Sequence, residues 1–251
     1  MSNLFWLTDA QMDRLWPFFP RSHGRPRVDD RRVLSGIIFI NRNGLRWCDA
    51  PKEYGPPKTL YNRWKQWSDM GIFARMMEGL AAESTEQKTI MIDATYLKAH
   101  RTASSLRVKK GGVRLIGRTK SGLNTKLHAV TDATGRPIRF FMTAGEVSDY
   151  TGAAAMLSSL PAAEWLLVDR GYDADWFRDP LKDKGIRACI PGRKLRGKVI
   201  RYDKRRYKRR NRIEIMFCRL KDWRRVATRY DRCPKVFLSA IALAATVLFW
   251  L

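Results

Sequence analysis

Residues 89–100 read TIMIDATYLKAH, a β-like run that opens on apolar and β-branched side chains. One residue departs from that pattern. Asp93 sits inside the apolar stretch, where a charge is costly unless it is paired or binds a metal. The run therefore predicts a strand of a folded core that carries a group with a task.

The pattern continues downstream. LNTKLHAVTDATGRPIRFFMTAG (residues 123–145) places two strand-like runs around DATGRP, as in a hairpin. DYTGAAAMLSSL (149–160) reads as a helix, and EWLLVD (164–169) as a buried strand that stops at RGYD. DADWFRDPLKDKG (173–185) reads as a helix and IRACIPG (186–192) as a further strand. Strands first, then strands alternating with helices, predict a mixed α/β layer fold.

Upstream the sequence is helical. Thr8 and Gln11 form a capping-box pattern before AQMDRLWPFF. HGRPRVD (23–29) and PKEYGPP (51–57) are breaker runs, and DRRVLSGIIFINRNG has helical apolar spacing that stops at Gly44. KTLYNRWKQWSDMG fits a short helix capped by Thr59, with Leu60, Trp64 and Trp67 on one face. Asn62, Lys65 and Gln66 point the other way, with Arg63 at the edge. A turn followed by a short helix with a polar outer face suits a helix-turn-helix-like reader of double-stranded DNA. The competing reading is a helical subdomain that only packs or dimerises. The expected division is a helical domain over residues 1–82 and an α/β domain over residues 83–251.

Composition narrows the partner. The 251 residues carry 49 Lys+Arg against 24 Asp+Glu, a formal net charge of +25. Hydrophobic residues make up 45% and nine are Trp, which excludes a basic disordered tail. So large a surplus implies a polyanion, either nucleic acid or an anionic membrane surface. Residues 193–232 hold 18 Lys/Arg and four Asp/Glu, and residues 101–120 hold seven Lys/Arg and no acid. Two concentrated stripes in a Trp-rich chain favour nucleic acid. VFLSAIALAATVLFWL (236–251) is short for a transmembrane span and is expected to be a buried terminal helix rather than a tail anchor. Cys48, Cys189, Cys218 and Cys233 lack zinc-ligand spacing, and the three His do not cluster with them. Reduced thiols and no export signal in MSNLFWLTDAQ predict a cytoplasmic protein.

Two further acids stand out. Asp169 ends the apolar WLLV, and strand ends in α/β sheets are where ligands gather. Glu214 is the one acid of YKRRNRIEIMFCRLK (207–221). At about 100° per residue, Tyr207, Arg210, Glu214 and Lys221 share one stripe, while Ile213, Met216, Leu220 and Trp223 fall on a core-facing side. The plain reading of that stripe is a wet surface with an Arg210–Glu214 pair. The alternative is phosphodiester chemistry, in which two Mg²⁺ held by three acids serve the attacking and leaving oxygens.

Here the residues match a known family. Tyr207, Arg210, Glu214 and Lys221, separated by two, three and six residues, resemble the Tyr-Arg-Glu-Lys signature of bacterial insertion-sequence DDE transposases. IDATYLKAH is similar to the first acidic block of that family, and DRGY at 169–172 to the second. GLNTKLHAVTDATGRPI is similar to the stretch that follows the first block in the insertion-sequence-five family, and the first 80 residues resemble its helical DNA-binding region. The resemblance implies a ribonuclease-H-like catalytic domain. It implies that Asp93, Asp169 and Glu214 are the catalytic triad holding two Mg²⁺ or Mn²⁺. It further implies that Tyr207, Arg210 and Lys221 contact DNA near the cleaved phosphate. One departure is that only 44 residues separate Asp169 from Glu214. Several related groups carry a large β-rich insertion there that helps them form DNA hairpins; this chain lacks it, so the resemblance does not carry the hairpin pathway over to this chain.

The expected function is a transposase that binds element ends and target DNA, as a homodimer on DNA near the bacterial nucleoid. The alternatives are a metal-dependent nuclease of the same fold, a non-catalytic DNA-binding regulator, and more distantly a ribosomal-type RNA-binding protein.

Overall fold

The computed structural model describes residues 4–20, 29–83, 88–105, 114–194, 196–197 and 199–251. Arg107, Lys109 and Lys110 of the second basic run, and all of HGRPRVD but its last residue, lie outside the described residues.

Four helices come first: α1 (Asp9–Leu15), α2 (Asp30–Asn43), α3 (Pro57–Asp69) and α4 (Ile72–Ala82). The expected capping box opens α1, with Thr8 Oγ1 accepting from the Gln11 amide and Gln11 Oε1 from the Thr8 amide. Gly44 closes α2 at φ +69°, a left-handed cap that glycine adopts without strain. The start of α3 differs from the reading. It begins at Pro57, with no side-chain cap, and Thr59 lies inside its first turn. Proline's fixed φ and missing N–H suit a first helical position, so the helix starts before the hydroxyl residue.

The rest of the chain runs β1 (Thr89–Ala99), α5 (Arg101–Ser104), β2 (Gly117–Thr119), β3 (Gly122–Asp132), β4 (Pro137–Ala144), α6 (Asp149–Leu157), β5 (Trp165–Val168), α7 (Asp175–Asp183) and β6 (Arg187–Cys189). It ends with α8 (Lys204–Tyr207), α9 (Asn211–Lys221), α10 (Arg224–Ala227), β7 (Thr228–Arg229) and α11 (Pro234–Ala245). β4, β3 and β1 pair antiparallel, and β1, β5 and β6 continue in parallel. This mixed sheet, with β1 at its centre, is the ribonuclease-H-like arrangement expected for the α/β region. The short β2 and β7 extend it at β3 and β1.

Alternation along the strands sorts the core into two faces. Ile90, Ile92 and Val130 pack with Ala153 and Met156 of α6 and with Phe177 and Leu181 of α7. The approach of α6 is close, since a Cβ at Gly152 would lie 2.1 Å from the His128 ring. Met91, Leu127 and Ala129 point the other way, into one core with α9, α11 and the N-terminal helices. Asp93 pairs with Ala129 across β1 and β3, so it shares that second face. His128 shares the first face with Ala94. It is buried against Thr143 Oγ1 at 3.0 Å, and burial pushes its pKa down to about 4, so it is neutral.

The terminal apolar run is α11 and the turn after it. Residues 239–245 of α11 are all buried, as expected of a helix apolar all round. No described helix is long and apolar enough to cross a membrane.

Candidate active site

Ile92 of β1 stands opposite Val168 of β5 in parallel register. The next residue in each chain segment is an acid, so Asp93, still within β1, and Asp169, just past the end of β5, lie side by side. β5 ends there because the chain turns at once. The Asp169 carboxylate caps a short 3-10 turn, its Oδ2 accepting from the Gly171 amide at 3.3 Å. Asp93 Oδ1 accepts from the amide of Ala94 at 2.9 Å.

The third acid comes from the segment after α8. A 3-10 turn at Lys208–Arg210 separates α8 from α9, so residues 207–221 are not one continuous α-helix. Each 3-10 residue advances about 120° rather than 100°. The stripe from Tyr207 to Lys221 therefore fans across the strand ends instead of following one line. Tyr207 Oη donates to Asp169 Oδ1 at 3.3 Å. Arg210 donates from Nη2 to Asp93 Oδ2 at 2.8 Å and from Nη1 to Glu214 Oε1 at 2.6 Å. Lys221 Nζ donates to Thr95 Oγ1 at 2.8 Å, two residues beyond Asp93 on the same face of β1. The opposite side of α9 is core, with Ile213, Met216 and Leu220 buried, and Trp223 buried just beyond it.

The electrostatics follow from this placement. Asp93 is nearly enclosed, with 16% of its side chain exposed, whereas Glu214 keeps 57%. Burial raises the Asp93 pKa, opposed by Arg210 and reinforced by Glu214 and Asp169. Burial likewise pushes the Tyr207 phenol up to about 12, so it stays a proton donor at neutral pH. Lys221 is moved downward by burial.

These side chains fit a hard divalent cation in donor type, since all three acids offer carboxylate oxygens. They also converge on positive charge, because one guanidinium bridges Asp93 and Glu214. Among the described residues, no three Asp, Glu, His or Cys side chains are grouped closely enough to enclose a metal ion as they stand. Arg210 and Tyr207 hold the carboxylates instead.

The structure thus brings Asp93, Asp169, Glu214, Tyr207, Arg210 and Lys221 together. Asn62, Arg63, Lys65 and Gln66 stand apart on α3. Asn62 and Gln66 are exposed, Arg63 and Lys65 partly so, and Lys65 pairs with Asp69 at 2.8 Å. Sequence reasoning missed Thr95, the partner of Lys221, and Asp173, whose carboxylate is fully enclosed by arginines. Only the position of Asp173, directly after DRGY, marked it.

Known proteins give the family. The family described as "Putative transposase of IS4/5 family (DUF4096)" matches residues 7–77, and "Transposase DDE domain" matches residues 84–249. The chain is 36% identical over 130 residues to the "Putative transposase for insertion sequence element IS6501" of Brucella ovis, covering 51% of this chain and 99% of that one. It is 27% identical over 153 residues to the "Putative transposase for insertion sequence element IS402" of Burkholderia cepacia, covering 53% of this chain and 70% of that one. Among solved structures, a Mos1 transposase paired-end complex with the left transposon end superposes at a TM-score of 0.26 and 13% identity, over 68% of this chain. This chain spans 61% of that one, and the likeness is too coarse to align individual residues. By its sequence match over residues 84–249, the chain belongs to the DDE transposase family of IS4/5-type insertion sequences.

Proposed function

We propose that this chain cuts DNA at the ends of its insertion sequence and joins the freed ends to target DNA. It works as a homodimer on DNA in the bacterial cytoplasm. Members of this family use divalent metal ions, and here Asp93, Asp169 and Glu214 would hold two Mg²⁺ or Mn²⁺. The observation that carries this reading is that Tyr207 and Arg210 link three carboxylates, one on β1, one just after β5 and one on α9, with Lys221 held at Thr95 two residues from Asp93.

The chemistry needs two displacements at phosphorus. Water attacks at the element end, and the bond to the 3′ oxygen breaks to leave a 3′-hydroxyl. That hydroxyl then attacks a target phosphodiester, a new P–O bond forms, and the target's 3′ oxygen leaves with the proton. Divalent cations between the carboxylates would offset charge at the attacked phosphate and lower the pKa of water. Arg210 offers two parallel N–H groups, a fork that matches phosphate oxygens as well as carboxylates. Tyr207, protonated at neutral pH, donates one more hydrogen bond. Thr95 steadies Lys221 as a point charge on the same side.

The helical residues 1–82 would read the element end through Asn62, Arg63, Lys65 and Gln66, and residues 83–251 would carry the catalytic centre. The test is a joining assay with purified protein, a duplex bearing the terminal repeat, a target plasmid and Mg²⁺. The expected result is end-to-target product. Cutting without joining would mark a nuclease, and binding without cutting a regulator.

A further inference from the structure

A cleft of about 510 Å³ opens beside Asp169 and Tyr207. Arg170, Arg193 and Lys194 line it and are exposed, and the Tyr202 ring meets Tyr207 edge-on at 5.5 Å. Residues of the segment after β6 also line it, and the described residues between Ile190 and Asp203 form no helix or strand. Such a wall needs something else to fix it.

Asp173 does so. Its side chain has no exposed surface, and every donor around it belongs to that wall or to α7. Arg178 Nε and Arg196 Nη1 both donate to Oδ1 at 2.8 Å, and the Arg193 amide donates to Oδ2 at 2.8 Å. Arg178 also reaches the Ile190 carbonyl at 2.8 Å, at the start of the wall. Arg193 Nη2 closes the ring on the Gly171 carbonyl at 2.6 Å, inside the turn that Asp169 caps. Arg196 pairs in addition with Asp175. The chain thus spends a buried carboxylate on locking a basic loop to the turn that follows Asp169. A charge with no exposure is tolerated because it is fully paired. A surface loop that only had to be covalently continuous would not need it.

We propose that Asp173 is a positioning residue, and that the loop it locks presents Arg193 and Lys194 to a backbone phosphate of the DNA strand next to the scissile one. This inference rests on the DNA-cutting reading above. The cleft's volume of about 510 Å³ lies within the usual range for ligand sites. Arg170, which lines the same cleft, adds a third positive charge.

Charge and position make opposite forecasts, which allows a clean test. Asp173→Asn removes a negative charge from beside the DNA path, and Arg178→Gln removes a positive one that does not line the cleft. If these residues act only through charge, the first variant binds a terminal-repeat duplex more tightly and the second more weakly. If they act by positioning, both bind more weakly, and the double variant is no worse than either, because one lock has been broken twice. Each lost phosphate contact flattens the slope of log K against log salt by about 0.9. Loss of two should therefore flatten it by about two units and weaken binding about a hundredfold near 0.1 M salt. Lys194→Gln, exposed and free of the lock, should flatten the slope by about one unit with an unchanged melting temperature. Melting curves are run for every variant. If Asp173→Asn does not fold, Asp173→Glu takes its place: it keeps the charge but not the geometry of the lock, so a role through charge alone leaves binding unchanged and a positioning role weakens it. Tighter binding by Asp173→Asn, or an unchanged slope in Lys194→Gln, overturns the proposal. If the wild-type protein shows no binding to the terminal-repeat duplex over a scrambled one and no metal-dependent cutting, the reading on which this inference rests has failed instead.

Discussion

Helix α3 buries Leu60, Trp64 and Trp67 and turns Asn62 and Gln66 to solvent. α9 buries Ile213, Met216 and Leu220 and, with the turn before it, aims Arg210, Glu214 and Lys221 at the strand ends. The amphipathic design is the same, and both helices dock by an apolar stripe. They differ in what the polar side meets. The polar residues of α3 have one ion pair, Lys65–Asp69, which stays on the helix itself. Those of the α9 segment reach across to Asp93, Asp169 and Thr95 on other elements. A polar face with free hydrogen-bonding groups suits recognition of bases, and a polar face committed to buried acids suits chemistry. The same helical periodicity thus serves two purposes, and the strand acids decide between them.

The largest effect that could break this contrast lies on the strand side. Asp93→Asn or Asp169→Asn should lower cleavage by roughly a thousandfold or more, and wild type in excess EDTA should behave likewise. Stability should not follow activity. The Asp93 pKa is raised by burial, so its ionised form costs stability that is present below the ordinary carboxylate range and lost as pH rises through the raised value. At neutral pH the Asn variant should therefore melt no lower than wild type, with the difference closing as the solution is acidified. A marked drop in melting temperature would show that the Arg210 pairing outweighs burial.

The next effect concerns the basic run at residues 193–232. If it neutralises about eight phosphates, log K should fall against log salt with a slope of about −7. Four Arg→Gln changes within it should flatten that slope by about three to four units. An unchanged slope would take the run off the DNA. The smallest effect belongs to α3. Changing Asn62, Lys65 and Gln66 together to Ala should abolish preference for the element end in footprinting and leave most non-specific binding, because base contacts specify and phosphate contacts position. Unchanged protection of the end would move recognition elsewhere.

Much of this was legible in the sequence, for local reasons. Apolar, β-branched runs marked β1, β3 and β4, with DATGRP as the turn between the last two; the capping box marked α1, and Gly44 marked the end of α2. Asp93, Asp169 and Glu214 stood out because acids in or at the end of apolar strands are costly and a lone acid in a basic run is unusual, whereas Tyr207, Arg210 and Lys221 were marked by the resemblance to the Tyr-Arg-Glu-Lys signature. What escaped was non-local. The 3-10 turn at Lys208–Arg210 leaves no trace in periodicity, yet it is what spreads Tyr207 and Arg210 over two different acids. The lock around Asp173 joins residues about 20 positions apart, beyond any helical or strand period. The tie between chain ends was equally hidden. Arg14 Nη1 donates to the Trp250 carbonyl at 2.6 Å, and α11 shares a core with α4, so helices read as a separate unit pack on the C-terminal helix.

The proposed chemistry turns on Glu214 serving a metal rather than a wet surface. It is exposed and paired with Arg210, the geometry expected of an ordinary surface ion pair. If that pair is all it provides, Glu214→Gln costs at most about 1 kcal/mol of stability and cleavage is nearly normal. If it holds a catalytic metal, the substitution removes several kcal/mol of transition-state stabilisation, a rate loss of roughly a thousandfold or more. Binding should then be equal or tighter without metal, because one negative charge has left a phosphate-facing helix. The measurement is cleavage and terminal-repeat binding on one preparation of Glu214→Gln, with and without Mg²⁺. The expected variant folds, binds and does not cut. Cleavage near the wild-type rate would contradict it, and loss of fold and binding together would make Glu214 a structural residue.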